Sequence, residues 1–172
     1  MKSFVLLRHG KSDWSDPAPP DFERPLTGRG KKDARLVGGF LASLRKKPDL
    51  LLSSPAVRAR QTAEIIAECT AFKARMIVWD KSLYEGTADN VLRSLMTLAD
   101  DIEMPLIVGH NPMLELATSM FLFGGKKTGD PVNSIRIPTA GLLCLELDAP
   151  DWRALEAGNC VLRWMITPKI IK

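Results

Sequence analysis

The chain of 172 residues is poor in the side chains that most often carry metal or redox chemistry, with two histidines and three cysteines. Cys69, Cys144 and Cys160 form no Cys-x-x-Cys pair, and two histidines are too few to complete a zinc site with them. We therefore expect no bound metal and no cofactor. The cysteines are expected to serve as small apolar side chains in a reducing cytoplasm.

Long apolar runs and aromatic residues are also scarce. No segment approaches the roughly 18 apolar residues of a membrane span, and Arg8-His9 interrupts the apolar run at 4–7, so we expect no membrane helix and no export signal. The net charge is +4, but lysines and arginines are scattered and aromatic residues make up 6% of the chain. A basic pocket for an anionic substrate explains this balance as well as a nucleic-acid surface does, and we predict the pocket.

Strand-like and helix-like segments alternate along the chain. The apolar patterns predict strands at 4–7, 49–52, 76–79, 105–108, 142–147 and 161–166. They predict helices at 31–46 and at about 88–100, with Thr27 and Thr87 as N-caps. Two further helices are predicted to open at Ser54-Pro55 and at Asn111-Pro112, each with the first residue as N-cap and the proline as the first helical residue. This order indicates an α/β/α sandwich in three layers around a mostly parallel, mixed sheet, whose last two strands form an antiparallel pair.

Both histidines lie two residues after predicted strands. His9 follows the first strand and His110 follows the fourth. Because ligands of open α/β sheets bind beyond the carboxyl ends of the strands, we expect the two imidazoles to share one site. The alternative is that each histidine only ends its strand by a hydrogen bond to the backbone. His110 also precedes a predicted helix, whose positive end should favour the neutral imidazole.

Two arginines accompany the histidines. Arg8 precedes His9, and Arg58 lies in the first turn after Ser54-Pro55, with no acidic residue before Glu64. A cation at a helix start is unfavourable unless an anion lies beside it, and a guanidinium at this place can hold a phosphate. The alternative for Arg58 is extension into solvent. A metal site on the two histidines is a weaker hypothesis because a third ligand is missing.

Five blocks of sequence, in this order, resemble the histidine phosphatase superfamily. They are Leu7-Arg8-His9-Gly10, Arg24-Pro25-Leu26-Thr27 with Gly30, Ser53-Ser54-Pro55 with Arg58-Ala59 and Gln61-Thr62, Leu83-Tyr84-Glu85, and Val108-Gly109-His110-Asn111-Pro112. The short length and Lys11-Ser12-Asp13-Trp14 look most like the small SixA-type phosphohistidine phosphatases. The resemblance implies a phosphoglycerate mutase-like fold and a single domain over 1–172 without a large cap insertion.

The resemblance also implies roles for the conspicuous residues. His9 would be the nucleophile that becomes phosphohistidine, which water then hydrolyses. Arg8, Arg58 and His110 would hold the phosphoryl oxygens and stabilise the charge that develops during transfer. Gly10 would let the backbone approach closely and keep the attack path open.

Three further positions are candidates for contacts with the substrate. Ser15 lies where many relatives carry an asparagine that contacts phosphate. Asn111 could bind phosphate, although capping of the following helix explains it as well. Glu85 matches the acid that protonates the leaving group, and the alternative is a solvated glutamate in a loop.

The sequence therefore predicts a metal-independent phosphatase acting on phosphohistidine in a protein or on a small phosphorylated molecule. The alternatives are a phosphoglycerate mutase-like phosphotransferase, a non-catalytic module that binds phosphate or a phosphoprotein, and, third, a nucleic-acid-binding module. The Gly/Lys-rich loop at 124–134 and the pocket rim are expected to set the substrate preference. Nothing in the sequence indicates the oligomeric state.

Overall fold

A computed structural model describes residues 1–124 and 135–172. Six strands are present in the described residues: β1 (Lys2–Arg8), β2 (Leu50–Ser53), β3 (Val78–Trp79), β4 (Pro105–Gly109), β5 (Leu142–Leu147) and β6 (Cys160–Ile166). Five α-helices accompany them: α1 (Gly28–Ser43), α2 (Val57–Thr70), α3 (Ser82–Glu85), α4 (Ala88–Met96) and α5 (Met113–Phe123). Of the loop predicted at 124–134, Gly124 caps α5, and the rest lies outside the described residues.

The strands form one mixed sheet in the order β3-β2-β4-β1-β5-β6. The four strands from β3 to β1 are parallel, whereas β5 pairs antiparallel with both β1 and β6. Parallel neighbours need long crossovers, which α1, α2 and α4 supply, whereas a short connection between β5 and β6 permits an antiparallel pair. The predicted mostly parallel sheet and its antiparallel pair are confirmed.

Alternation of side chains along β1 builds the core on both faces of the sheet. Phe4 and Leu6 pack in one apolar cluster with residues of α4 and α5. Val5 and Leu7 point the other way and pack with residues of α1 and α2. Because all four are fully buried, β1 lies between two helical layers, which confirms the three-layer sandwich.

Thr27 and Thr87 occupy the predicted N-cap positions, whereas the helix boundaries differ from the predicted ones. Thr27 accepts a hydrogen bond from the Gly30 N–H at 2.9 Å, so α1 begins at Gly28 rather than at 31. The backbone N–H of Thr87 bonds to the Asn90 side chain in a capping box at the start of α4, which ends at Met96 rather than near 100.

Both predicted Pro-initiated helices begin later than expected. Helix α2 starts at Val57 with Ala56 at its N-cap, and α5 starts at Met113 with Pro112 at its N-cap. The Ser54 hydroxyl instead accepts from the Ala56 N–H at 3.3 Å and bonds to His110, so its oxygen serves the site rather than the helix end.

The cysteines are unpaired, and Cys144 and Cys160 are buried. Burial raises the pKa of Cys144 to about 11 and that of Cys160 to about 12, so both stay protonated at neutral pH. They therefore behave as small apolar side chains, as expected. In the described parts of the chain, no helix has the length and apolar character that crossing a membrane requires.

Candidate active site

The register of adjacent strands brings the two histidines together. Arg8 on β1 pairs with Gly109 on the neighbouring strand β4, and the His9 N–H donates to the Gly109 carbonyl at 3.1 Å. The residue that follows each strand is a histidine, and the ring centroids of His9 and His110 lie 4.9 Å apart. Two imidazoles separated by a hundred residues in sequence thus share one edge of the sheet.

Strand β2 and helix α2 complete this edge. Ser54 follows β2, and its hydroxyl lies 2.8 Å from Nε2 of His110. Arg58, the second residue of α2, is 7% exposed, and its Nε donates to Nε2 of His9 at 3.2 Å. Arg58 therefore turns into the site rather than into solvent.

Arg8 and Asn111 converge on a single carbonyl. Arg8 Nη1 and Asn111 Nδ2 each donate to the Ile137 carbonyl at 2.9 Å. The Ile137 N–H is held in turn by Oε1 of Glu115 on α5 at 2.8 Å. Arg8 Nε and Asn111 Oδ1 are buried and have no hydrogen-bond partner among the described residues.

These side chains line a cavity of about 420 Å³. The predicted residues Arg8, His9, Arg58, His110 and Asn111 all contribute to its wall. Five further residues line it: Lys11, Ser12, Trp14, Asp21 and Thr139. The wall thus carries three cationic side chains and one carboxylate, which suits a small anion with several oxygens.

Two predicted residues lie elsewhere. The Ser15 hydroxyl donates to Asp13 at 2.6 Å and Ser15 is exposed, away from the cavity wall, so its contact with phosphate stays a prediction. Glu85 has a side chain that is 59% exposed and pairs with Lys81 at 3.6 Å. Neither residue lines the cavity, because each is held by a neighbour close in sequence.

Gly10 is buried, and packing explains the absence of a side chain there. Its N–H donates to the Thr62 hydroxyl at 3.1 Å. A Cβ at Gly10 would lie 2.7 Å from the Gly30 carbonyl oxygen of α1, closer than real contacts allow. Gly10 is needed for this close approach to α1, and it is not part of the cavity wall.

Sequence reasoning missed Asp21. This residue opens a 3₁₀ turn at Asp21–Glu23, and its Oδ2 accepts from Arg58 Nη2 at 2.8 Å and from the Tyr84 hydroxyl at 3.1 Å. The available signal was the unfavourable cation in the first turn of α2, which requires an acidic partner from another segment. The block that begins at Arg24 indicates where this segment lies.

Trp14 lies at the rim of the cavity. Its side chain is 67% exposed. One face of the indole lies 4.2 Å from the Arg24 guanidinium, and Nε1 donates to the Ser12 hydroxyl at 3.1 Å. Arg24 and Ser12 thus hold the ring in place at the cavity mouth.

The surroundings of His9 define its protonation state. Nδ1 lies 2.7 Å from the Gly10 carbonyl, which can only accept, so Nδ1 carries the proton and Nε2 has a lone pair. Burial lowers the pKa of His9 to about 4 against the effect of the Gly10 hydrogen bond, and the charges of Arg58 and Arg8 lower it further. At neutral pH His9 is therefore a neutral imidazole with Nε2 available as a nucleophile.

His110 is also neutral. Burial lowers its pKa to about 3, followed by the effects of His9 and Arg58. The neutral form of His110 was expected, but burial of the ring rather than the positive end of α5 is the main cause of its lowered pKa. Nδ1 of His110 is buried without a hydrogen-bond partner in the described residues, so it can donate to a bound anion when Nε2 accepts from Ser54. No group of three His, Cys, Asp or Glu side chains that could hold a metal ion occurs within 1–124 and 135–172.

Comparisons with known proteins agree with this geometry. Residues 4–88 match the family model of the histidine phosphatase superfamily (branch 1). An uncharacterised chloroplastic protein of Arabidopsis thaliana is 31% identical over 97% of this chain and 78% of its own length. Phosphohistidine phosphatase SixA of Escherichia coli is 25% identical over 100% of this chain and 97% of its own length. The structure of the protein histidine phosphatase SixA complexed with tungstate has a TM-score of 0.82 at 23% identity, covers 99% of both chains and confirms the expected fold. By its sequence matches and its fold, the chain belongs to the histidine phosphatase superfamily (branch 1).

Proposed function

We propose that the protein is a phosphatase that transfers a phosphoryl group to Nε2 of His9 and then to water. One observation carries this proposal. The hydrogen bond from Nδ1 of His9 to Gly10 leaves a lone pair on Nε2, at the wall of a cavity that also contains Arg8, Arg58 and His110. A neutral imidazole with a fixed tautomer is a competent nucleophile and splits one difficult displacement into two easier ones.

The cationic side chains would stabilise the negative charge that develops on the phosphoryl oxygens during transfer. Charge in the transition state spreads over the three equatorial oxygens, so fixed donors around the phosphorus provide most of the catalysis. Arg58 Nε already points at Nε2 of His9, so a phosphoryl oxygen can take over this N–H when phosphorus bonds to Nε2. Arg8 from β1 and His110 after β4 hold the other oxygens from neighbouring sides.

The relatives and the charge of the cavity support a proposal for the substrate class. Similarity to a phosphohistidine phosphatase over the whole chain favours phosphohistidine in a protein, and small phosphorylated molecules are the other substrates that the cavity of about 420 Å³ admits. We further propose that the protein works without a metal, as one catalytic domain in the cytoplasm.

Substrate turnover with wild-type enzyme and a His9→Ala variant tests this function. In the presence of a chelator, the wild-type enzyme should release phosphate from a phosphohistidine peptide, and the variant should lose on the order of 10⁴-fold in rate. With a substrate that is isotopically chiral at phosphorus, two successive displacements should give overall retention of configuration. Inversion, or turnover by His9→Ala at the wild-type rate, would contradict the proposal. Binding of phosphate without turnover would identify a binding module instead, and return of the phosphoryl group to a second hydroxyl would identify a phosphotransferase.

A further inference from the structure

We propose that Asp21 is the base that takes the proton of the water molecule that hydrolyses phospho-His9, an inference that rests on the proposed function. The relatives' pattern places the acid–base residue of this reaction at Glu85. The structure points to a different carboxylate, from a segment that precedes α1.

The position of Asp21 fits a base for the second step. Arg58 bridges from His9 Nε2, 3.2 Å from its Nε, to Asp21 Oδ2, 2.8 Å from its Nη2. One planar guanidinium therefore separates the carboxylate from the nucleophilic nitrogen. A water attacking in line lies about 3 Å beyond the phosphorus, and its base lies about 3 Å beyond that. The path over one guanidinium and its two hydrogen bonds is of about this length, so the Asp21 carboxylate lies no farther from Nε2 of His9 than such a base would.

The other acidic and basic groups near the cavity are not placed to accept a proton from the attacking water. Within the described residues, Asp21 is the one carboxylate that lines the cavity. Glu85 is paired with Lys81 outside it. Nε2 of His110 bonds to the Ser54 hydroxyl. Nδ1 must then carry the proton if it is to donate to a phosphoryl oxygen. Neither nitrogen is left with a free lone pair to accept a proton from the water.

The charge and exposure of Asp21 also suit this role. Burial pushes the pKa of Asp21 upward, but the hydrogen bond and charge of Arg58, together with the Tyr84 hydroxyl and His110, outweigh it and leave the pKa below its ordinary value. Asp21 is therefore ionised at neutral pH. Its side chain is 46% exposed, and Oδ1 accepts no hydrogen bond from the described residues, so this oxygen can accept one from water.

The step is balanced as a simple hydrolysis. The water oxygen forms a bond to phosphorus while the bond between phosphorus and Nε2 breaks, and the electron pair of that bond returns to Nε2. The water proton passes to Oδ1 of Asp21 and then to solvent. The products are inorganic phosphate and neutral His9, ready for another cycle.

Pre-steady-state kinetics of an Asp21→Asn variant separate this role from a structural one. Asn keeps an oxygen for the contacts of Arg58 and Tyr84 but cannot accept a proton. We expect phospho-His9 to form at close to the wild-type rate. Its hydrolysis should slow by about 10²- to 10⁴-fold, so that phosphoenzyme accumulates during turnover. Asp21→Glu should restore part of the hydrolysis rate. Glu23→Gln, an exposed acid in the same 3₁₀ turn, should behave as wild type.

The ratio of the two rate constants gives a readout that a positioning role would not produce, because a misoriented Arg58 would slow both formation and hydrolysis of phospho-His9. The wild-type rate constant for phosphoenzyme hydrolysis should also fall as the pH drops through the lowered pKa of Asp21, and Asp21→Asn should remove this part of the pH dependence. Equal slowing of formation and hydrolysis in Asp21→Asn would overturn the inference, since it would mean that Asp21 only orients Arg58. Accumulation of phosphoenzyme in Glu85→Gln but not in Asp21→Asn would overturn it in favour of Glu85. Absence of phospho-His9 in the wild-type enzyme would contradict the proposed function itself.

Discussion

The atoms within hydrogen-bond distance of His9 determine which of its nitrogens can react. The Gly10 carbonyl accepts from Nδ1, and Arg58 donates to Nε2, so both contacts select the same neutral tautomer. Burial then keeps the ring unprotonated. The proposed nucleophile therefore has its reactive tautomer before any substrate binds, and little reorganisation would be needed at the moment of attack.

The first prediction concerns these protonation states. Because the chain contains only two histidines, each imidazole can be followed separately by proton–nitrogen NMR during a pH titration. We expect His9 to carry its proton on Nδ1 and to titrate near pH 4, and His110 to titrate near pH 3. Bound phosphate should raise both values, since a nearby anion favours the charged imidazolium. Titration of both rings near pH 6.5 without phosphate would contradict the described site.

The second prediction concerns the leaving group. An ionised Asp21 has no proton to give, and Glu85 lies outside the cavity. Substrates with good leaving groups, such as acyl phosphates, aryl phosphates and phosphoramidates, should therefore react much faster than alkyl phosphates. Comparison of kcat/KM across such a series measures this. Equal rates for aryl and alkyl esters would show that some group does protonate the leaving oxygen.

The residues of the site could be predicted in part from sequence. Arg8, His9 and His110 could be predicted as site residues because the strands predicted from apolar runs end one or two residues before them. Asp21 was not, because its role depends on a contact with Arg58 across 37 positions of irregular chain and helix. Glu85 matched a motif, yet motif position does not determine where a side chain points after a helix of only four residues.

At the scale of secondary structure, the site is built by three adjacent parallel strands. Ser54, His110 and His9 each follow one of them, in the spatial order β2, β4, β1. The Ser54 N–H donates to the Val108 carbonyl at 3.0 Å, so the hydrogen-bond ladder extends to the site residues themselves. Sequence periodicity predicted the strands but not this order, because apolar runs of similar composition contain no information about which strands are neighbours.

The third prediction compares two neighbouring glycines of α1. A Cβ at Gly38 would lie 2.8 Å from both Cβ and Sγ of Cys69 on α2, whereas a Cβ at Gly39 would meet no atom within 4 Å. Gly38→Ala should therefore destabilise the protein by about 1–3 kcal/mol through overpacking between the helices. Gly39→Ala, the matched control, should stabilise it by about 0.5–1 kcal/mol through its helix propensity. Urea unfolding measures both, and effects of the same sign would contradict the described packing of α1 on α2.

At the scale of the whole molecule, two lysines, Lys11 and Lys169, lie in or next to the cavity. Lys11 is exposed and lines the cavity. A second cavity of about 300 Å³ adjoins the first through Thr139, which lines both, and it contains Arg29, Lys169 and Lys172. Asp33 pairs with Arg29 and Lys172, which leaves Lys169 as the least compensated of these cations within the described residues. Lys11 and Lys169 thus add positive charge near the cavity, which would attract an acidic protein of the proposed substrate class.

The fourth prediction follows from this distribution. Substitution of Lys11→Gln and Lys169→Gln together should raise KM for an acidic phosphohistidine protein several-fold and weaken its dependence on salt, because screening then has fewer charges to act on. The kcat for small phosphoramidates should change little. Lys47→Gln is the matched control. Lys47 is exposed and lies just before β2, at the amino ends of the parallel strands and so away from the cavity. An equal effect of Lys47→Gln would show that the net charge matters rather than the rim.

Phosphorylation of His9 is the central step of the proposed function, and rapid-quench trapping of the enzyme during turnover tests it directly. Labelled substrate should leave up to one phosphoryl group per chain, stable to alkali and labile to acid, and mass spectrometry of peptides should locate it on His9. A His9→Ala variant, treated identically, should retain no label. Label on another side chain, or full turnover without any labelled enzyme, would contradict the account.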